Sequence, residues 1–106
     1  MILQQNKKHQ KVRCLTLNCY GLPTYYPLLH APHRKERIAA IVRYLNDHKS
    51  DYDIVFLQEV FCTADQKSLV DFTKRSFPFS FVFVGRYQTV TFFKDEAKLL
   101  VLNEII

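Results

Sequence analysis

Apolar and polar positions alternate from Val12 to Cys19, where Leu15 and Leu17 are separated by Thr16 and followed by Asn18. A period of two predicts a strand with one buried face. Gly21 and Pro23 break the pattern and open a connection from Tyr20 to Pro32, "YGLPTYYPLLHAP". The period then changes. Ile38, Ile41, Val42 and Leu45 fall at i, i+3, i+4 and i+7, which predicts a helix with one apolar face, with Pro32 placed early in it. "NDHKSDYD" supplies turn formers after it.

The next segment, "DIVFLQEV", carries Ile54, Val55, Phe56 and Leu57 as a continuous apolar run. Such a run predicts a short strand covered on both faces. Strand, helix and strand in succession form the repeating unit of a layered α/β fold. Thr63 and Gln66 match the T-x-x-Q capping box and predict a second helix from Ala64 to about Ser76, with Leu69, Val70 and Phe72 on its buried side. Pro78 stops that helix. "FSFVFV" alternates strictly and places Phe79, Phe81 and Phe83 on one face of a third strand. "QTVTFF" reads as a further strand, whereas "DEAKLLVLNEII" fits a helix or a strand equally.

Composition narrows the class. A chain of 106 residues, 48% hydrophobic, builds at most one small domain and has the apolar mass for a core. Two glycines and four prolines are too few for an all-β protein with many tight turns. The net charge of +5 favours phosphate-bearing partners, whether nucleic acid or an anionic membrane surface. Part of it sits in the leading "NKKHQKVR", which also fits a solvated polar tail over 1–11. Cys14, Cys19 and Cys62 are an odd number without metal-type spacing, and the first two would point to opposite faces of one strand. A disulfide framework is therefore not expected, and a reducing compartment is. No signal-peptide pattern and no run of 18 apolar residues occurs, so the expected location is cytoplasmic or at a membrane periphery.

Chemistry is expected where the first two strands end. If they are parallel neighbours, Asn18 and Glu59 terminate them side by side, at the end of an open sheet where ligands bind. An amide oxygen and a carboxylate suit a hard divalent cation such as Mg²⁺. Glu59, flanked by "VFLQ" and "VF", could equally be offset by Arg34 or Arg37, or lie exposed. Asn18 has the alternative of an Asx-turn. His30 and His33 are two histidines without a third zinc ligand, and Cys19 and Cys62 lack a neighbouring base. Tyr25, Tyr26, Leu28 and Leu29 overload the connecting loop with apolar surface, which fits contact with lipid or packing onto further protein.

"LTLNCYGLP", "HRKERIAAIVRYLND" and "YDIVFLQEVF" together resemble the opening of the endonuclease/exonuclease/phosphatase superfamily, and more narrowly its neutral sphingomyelinase-like phosphodiesterases. The resemblance implies an α/β fold, the N-terminal portion of a four-layer α/β/β/α sandwich of deoxyribonuclease type, over about 12–86. The segment 87–106 departs from the family pattern. By resemblance Glu59 is the Mg²⁺-binding glutamate, and Asn18 coordinates the metal or orients that glutamate. The implied reaction is hydrolysis of sphingomyelin to ceramide and phosphocholine. The family's G-D-x-N segment and its terminal S-D-H histidine have no counterpart, so the resemblance implies an inactive fragment lacking the general base. A nuclease of the same superfamily and a non-catalytic membrane-binding module are the alternative functions.

Overall fold

A computed structural model describes residues 11–21, 33–83 and 88–97. It contains strand β1 (Cys14–Gly21), helix α1 (Arg34–Asp47), β2 (Ile54–Val60), helix α2 (Thr63–Thr73), β3 (Phe79–Phe83) and β4 (Thr89–Phe93). The strands form one mixed sheet in the order β1-β2-β4-β3. β1 and β2 are parallel, as the strand-helix-strand reading requires, while β4 runs antiparallel to both β2 and β3.

Register and alternation divide the sheet into two faces. Leu15, Val55, Leu57, Val90 and Phe92 join Ile38 and Leu45 of α1 and Leu69 of α2 in one core. Phe77, in the turn before β3, is fully buried and sits with its ring centroid 6.2 Å from that of Phe92. This is the helix-covered face. On the opposite face the register aligns Ile54, Phe93 and Phe79, then Phe56, Thr91 and Phe81. Ile54 and Phe93 are buried there, but Phe79, Phe81 and Phe83 on the edge strand remain 38%, 44% and 57% exposed. Phe81 meets Phe93 edge-on at 5.8 Å and Phe83 at 6.2 Å. The alternation of "FSFVFV" is thus real, and its aromatic face is largely open.

At their starting ends β1 and β2 are clamped by charge and backbone together. Arg13 N–H donates to Asp53 Oδ2 at 3.0 Å, Asp53 N–H returns a bond to the Arg13 carbonyl at 2.7 Å, and the guanidinium lies 3.4 Å from Asp53 Oδ1. The buried Asp53 carboxylate is thereby compensated.

Three local expectations need correction. Thr63 is the first helical residue of α2 and not its cap; Cys62 occupies that place with an extended backbone and no side-chain cap bond. Gln66 instead sends Nε2 back to the Val60 carbonyl at 2.7 Å, tying the helix to the end of β2. Phe72 is 68% exposed, because α2 turns only Leu69 and Thr73 fully inward. Gly21 does not end β1 before the turn but pairs with Val60 as its last residue. The apolar loop residues Tyr25, Tyr26, Leu28 and Leu29, the polar tail over 1–10 and the segment 98–106 lie outside the described residues. Among the described residues no helix is long and apolar enough to cross a membrane.

The two faces predict different sensitivities. Phe77→Ala removes a fully buried ring and is expected to cost about 3–5 kcal/mol in urea unfolding. Phe83→Ser, on the open face, is expected to change stability by less than about 0.5 kcal/mol.

Candidate functional site

The parallel pairing of β1 and β2 stays in register from Cys14 opposite Ile54 to Asn18 opposite Gln58. It then shifts, and the next pair is Gly21 with Val60. Two residues of β1, Cys19 and Tyr20, therefore stand against one of β2, Glu59. This is a bulge, a device that re-aims side chains at the end of a ladder. Both sides carry left-handed backbone, with φ of 50° at Tyr20 and 57° at Glu59. Non-glycine residues rarely adopt this conformation without compensation from their surroundings. Gly21 makes the close approach feasible: a Cβ there would lie 2.7 Å from the Glu59 carbonyl oxygen.

Asn18 supplies the compensation. Its Oδ1 accepts the Tyr20 N–H at 2.9 Å, holding the left-handed residue in an Asx-type turn. Its Nδ2 donates to Glu59 Oε2 across the strand ends. Chemistry fixes this orientation of the amide, since a reversed one would set oxygen against carboxylate and NH₂ against N–H. The Asx-turn expected of Asn18 is present, and the same side chain also holds Glu59. The two bonds use opposite ends of one amide.

Arg37 closes the constellation from α1. Its Nη2 donates to the Tyr20 carbonyl, and its guanidinium lies 5.6 Å from the centre of the Tyr20 ring. Helix, turn and carboxylate are thus connected through Tyr20, a residue that sequence reading left in the loop. Nothing in the sequence marks it, because its role comes from backbone conformation. Arg34, the other cation considered for Glu59, pairs instead with Asp65 of α2 at 2.9 Å. Burial pushes the Asp65 carboxyl upward, against the opposing influence of Arg34, Lys35 and Arg37. Glu59 is half-buried and Asn18 exposed, so the carboxylate remains open to ligand on one side.

The remaining candidates separate from this site. Cys19 is buried beneath the bulge, and its thiol is pushed up to about 12, first by burial and secondarily by Glu59, against Arg37. A thiol so disfavoured as thiolate is no nucleophile. Cys14 is exposed and Cys62 half-buried, and none of the three forms a disulfide. His33 stands exposed with left-handed backbone at the start of α1. His48 lies at the other end of α1, bonded through Nδ1 to Asp51 at 2.8 Å. His30 is outside the described residues. Among the described residues no group of three or more His, Cys, Asp and Glu gathers as a metal site.

This arrangement, a parallel β1-α1-β2 unit with an amide-held glutamate at its strand ends, coincides with a family match over residues 15–103, to the Endonuclease/Exonuclease/phosphatase family. The chain belongs to that family. Its sheet with two covering helices is an α/β fold in keeping with part of such a domain. The chain is also similar to the inositol phosphosphingolipids phospholipase C of Saccharomyces cerevisiae, at 29% identity over 101 residues, covering 77% of this chain. It spans 20% of the length of that relative. Both findings put the chain among phosphoesterases.

Thiol chemistry tests the packing beneath the bulge. At pH 8 a disulfide reagent is expected to modify Cys14 and Cys62, and to reach Cys19 only after denaturant is added. Modification of all three thiols at one fast rate in the folded chain would contradict the buried position of Cys19.

Proposed function

We propose that Glu59 is the cation-binding carboxylate of a Mg²⁺-dependent phosphodiesterase directed at sphingolipid head groups, and that Asn18 is its positioning residue. One observation carries the reading. Asn18 Nδ2 holds Glu59 Oε2 at the paired carboxyl ends of β1 and β2. Membership of the family and the similarity to the yeast phospholipase C support the reaction class and the lipid substrate.

The donor chemistry fits the cation in part. Mg²⁺ takes hard oxygen ligands and is commonly held by one or two carboxylates, with water and substrate phosphate completing the octahedron. Glu59 offers a carboxylate of which one oxygen is engaged by an N–H donor. Asn18 turns its amide oxygen to the Tyr20 N–H, which supports orientation of the glutamate over direct coordination. When bound, the cation supplies charge stabilisation for the phosphoryl oxygens and the leaving alkoxide. The chain's own contribution is to hold Glu59 in one position, through Asn18, Tyr20 and Arg37.

Proton transfer is a separate requirement. Attack by water on the phosphorus needs a base within hydrogen-bond reach. Of the described histidines, His48 is committed to Asp51 away from the strand ends, and His33 has no partner arrangement that would orient it as a base. On this reading the described histidines supply no base at the strand ends, and the 106-residue chain is expected to bind the cation without turnover. The basic charge would also suit a nucleic-acid phosphodiester, so DNA belongs among the substrates to be tried.

Calorimetric titration with Mg²⁺, supported by Mn²⁺ resonance, is expected to show one site that Glu59→Gln weakens by about tenfold or more. Equal affinity in the variant would remove the metal assignment. Sphingomyelin, inositol phosphosphingolipid and DNA are all expected to survive incubation with the chain. Hydrolysis of any of them that disappears in Glu59→Gln would overturn the predicted inactivity.

A further inference from the structure

The outer surface of the two helices carries a feature the site does not use. α1 and α2 are stapled at both ends by polar contacts. At one end Arg34 pairs with Asp65 at 2.9 Å. At the other, Asn46 Nδ2 donates to the Phe72 carbonyl at 2.9 Å while Ser76 Oγ donates to Asn46 Oδ1 at 2.7 Å. Between the staples Ala39, Ala64 and Ser68 are small, and with Ile38 and Val42 they line a trough of about 500 Å³. Phe72, the most exposed large apolar side chain described, forms its wall. A second hollow of about 370 Å³ adjoins it and shares Phe72.

Charge is distributed unevenly around this seam. Lys35 and Arg43 border the trough, and Lys49, Lys74 and Arg75 border the adjoining hollow. Against these stand Asp65, already ion-paired to Arg34, and Asp71. The seam is therefore an apolar groove with a basic rim, held open by fixed helix ends. A ridge-and-groove surface of this shape offers a flat bilayer only its ridges, whereas a helix can lie along its floor.

We propose that the α1–α2 seam docks an amphipathic helix of a partner protein, with apolar residues at i, i+3 or i+4 and i+7 and with Asp or Glu along its flanks. α1 has 14 residues, about 21 Å of helix, which sets the matching length at roughly four turns. The apolar stripe fills the trough beside Ala39 and Ala64, covers Phe72, and presents its carboxylates to Lys35 and Arg43 on one side and to Lys74 and Arg75 beyond Phe72. This surface is on the helical layer and is independent of the strand-end carboxylate.

The test uses the 106-residue chain and two labelled synthetic helices of about 16 residues, identical in their Leu and Phe stripe, one flanked by Glu and the other by Lys. Fluorescence anisotropy is expected to show the Glu peptide binding at least about tenfold tighter than the Lys peptide. Phe72→Ala is expected to weaken the Glu peptide by about tenfold or more, with an unchanged melting temperature because the side chain is exposed. Ala39→Trp, which fills the floor, is expected to abolish binding, and Lys35→Glu with Arg43→Glu to reverse the preference between peptides. Equal affinity for both peptides, or an effect of neither Phe72→Ala nor Ala39→Trp, would overturn the proposal. So would binding to phosphatidylserine/phosphatidylcholine vesicles that Phe72→Ala abolishes while the Glu peptide fails to bind, since the seam would then be a lipid surface.

Discussion

The two-against-one bulge where β1 and β2 end is the constraint on which the site depends. Without it Asn18 and Glu59 would continue a regular parallel ladder, in which successive side chains point to opposite faces. The extra residue in β1 breaks the ladder there, and the left-handed backbone at Tyr20 and Glu59 re-aims the glutamate toward the Asn18 amide. Gly21 admits the close approach, and Asn18 satisfies both the strained turn and the carboxylate. Strain of this kind persists only where the surroundings over-determine it. Here a helix, a strand end and a buried thiol all press on the same few residues.

The rest of the fold serves to bring these strand ends together and hold them. The Arg13–Asp53 clamp registers the beginnings of the two strands. Val55, Leu57 and Leu45 weld them to α1, and Gln66 fastens α2 to the last carbonyl of β2. On the opposite face Ile54 and Phe93 are buried while the edge-strand phenylalanines are largely exposed. Open aromatic surface on an edge strand is an aggregation liability.

Much of this was legible in the sequence, and what was not has a physical explanation. Periodicity located the six described elements to within a few residues, because each buries a face whose spacing it must respect. The parallel pairing of β1 and β2 followed from the intervening helix, and that alone juxtaposed Asn18 and Glu59. Phe72 was misplaced because a helical stripe does not reveal that the helix beside it leaves a trough. The helix starts one residue earlier than the Thr63 cap requires, and Gln66 bonds the Val60 carbonyl. Tyr20 left no signal, since its part is a backbone conformation, and Arg37, a candidate partner for Glu59, instead bonds the Tyr20 carbonyl. Pattern could not separate a turn role for Asn18 from a contact with Glu59, because one amide makes both bonds.

The central claim is that Asn18 and Glu59 are energetically coupled across the bulge. A double-mutant cycle in urea unfolding, with Asn18→Ala, Glu59→Ala and both together, measures that coupling directly. The account predicts an interaction of about 0.5–3 kcal/mol between the two positions. Strict additivity of the two single changes would contradict it.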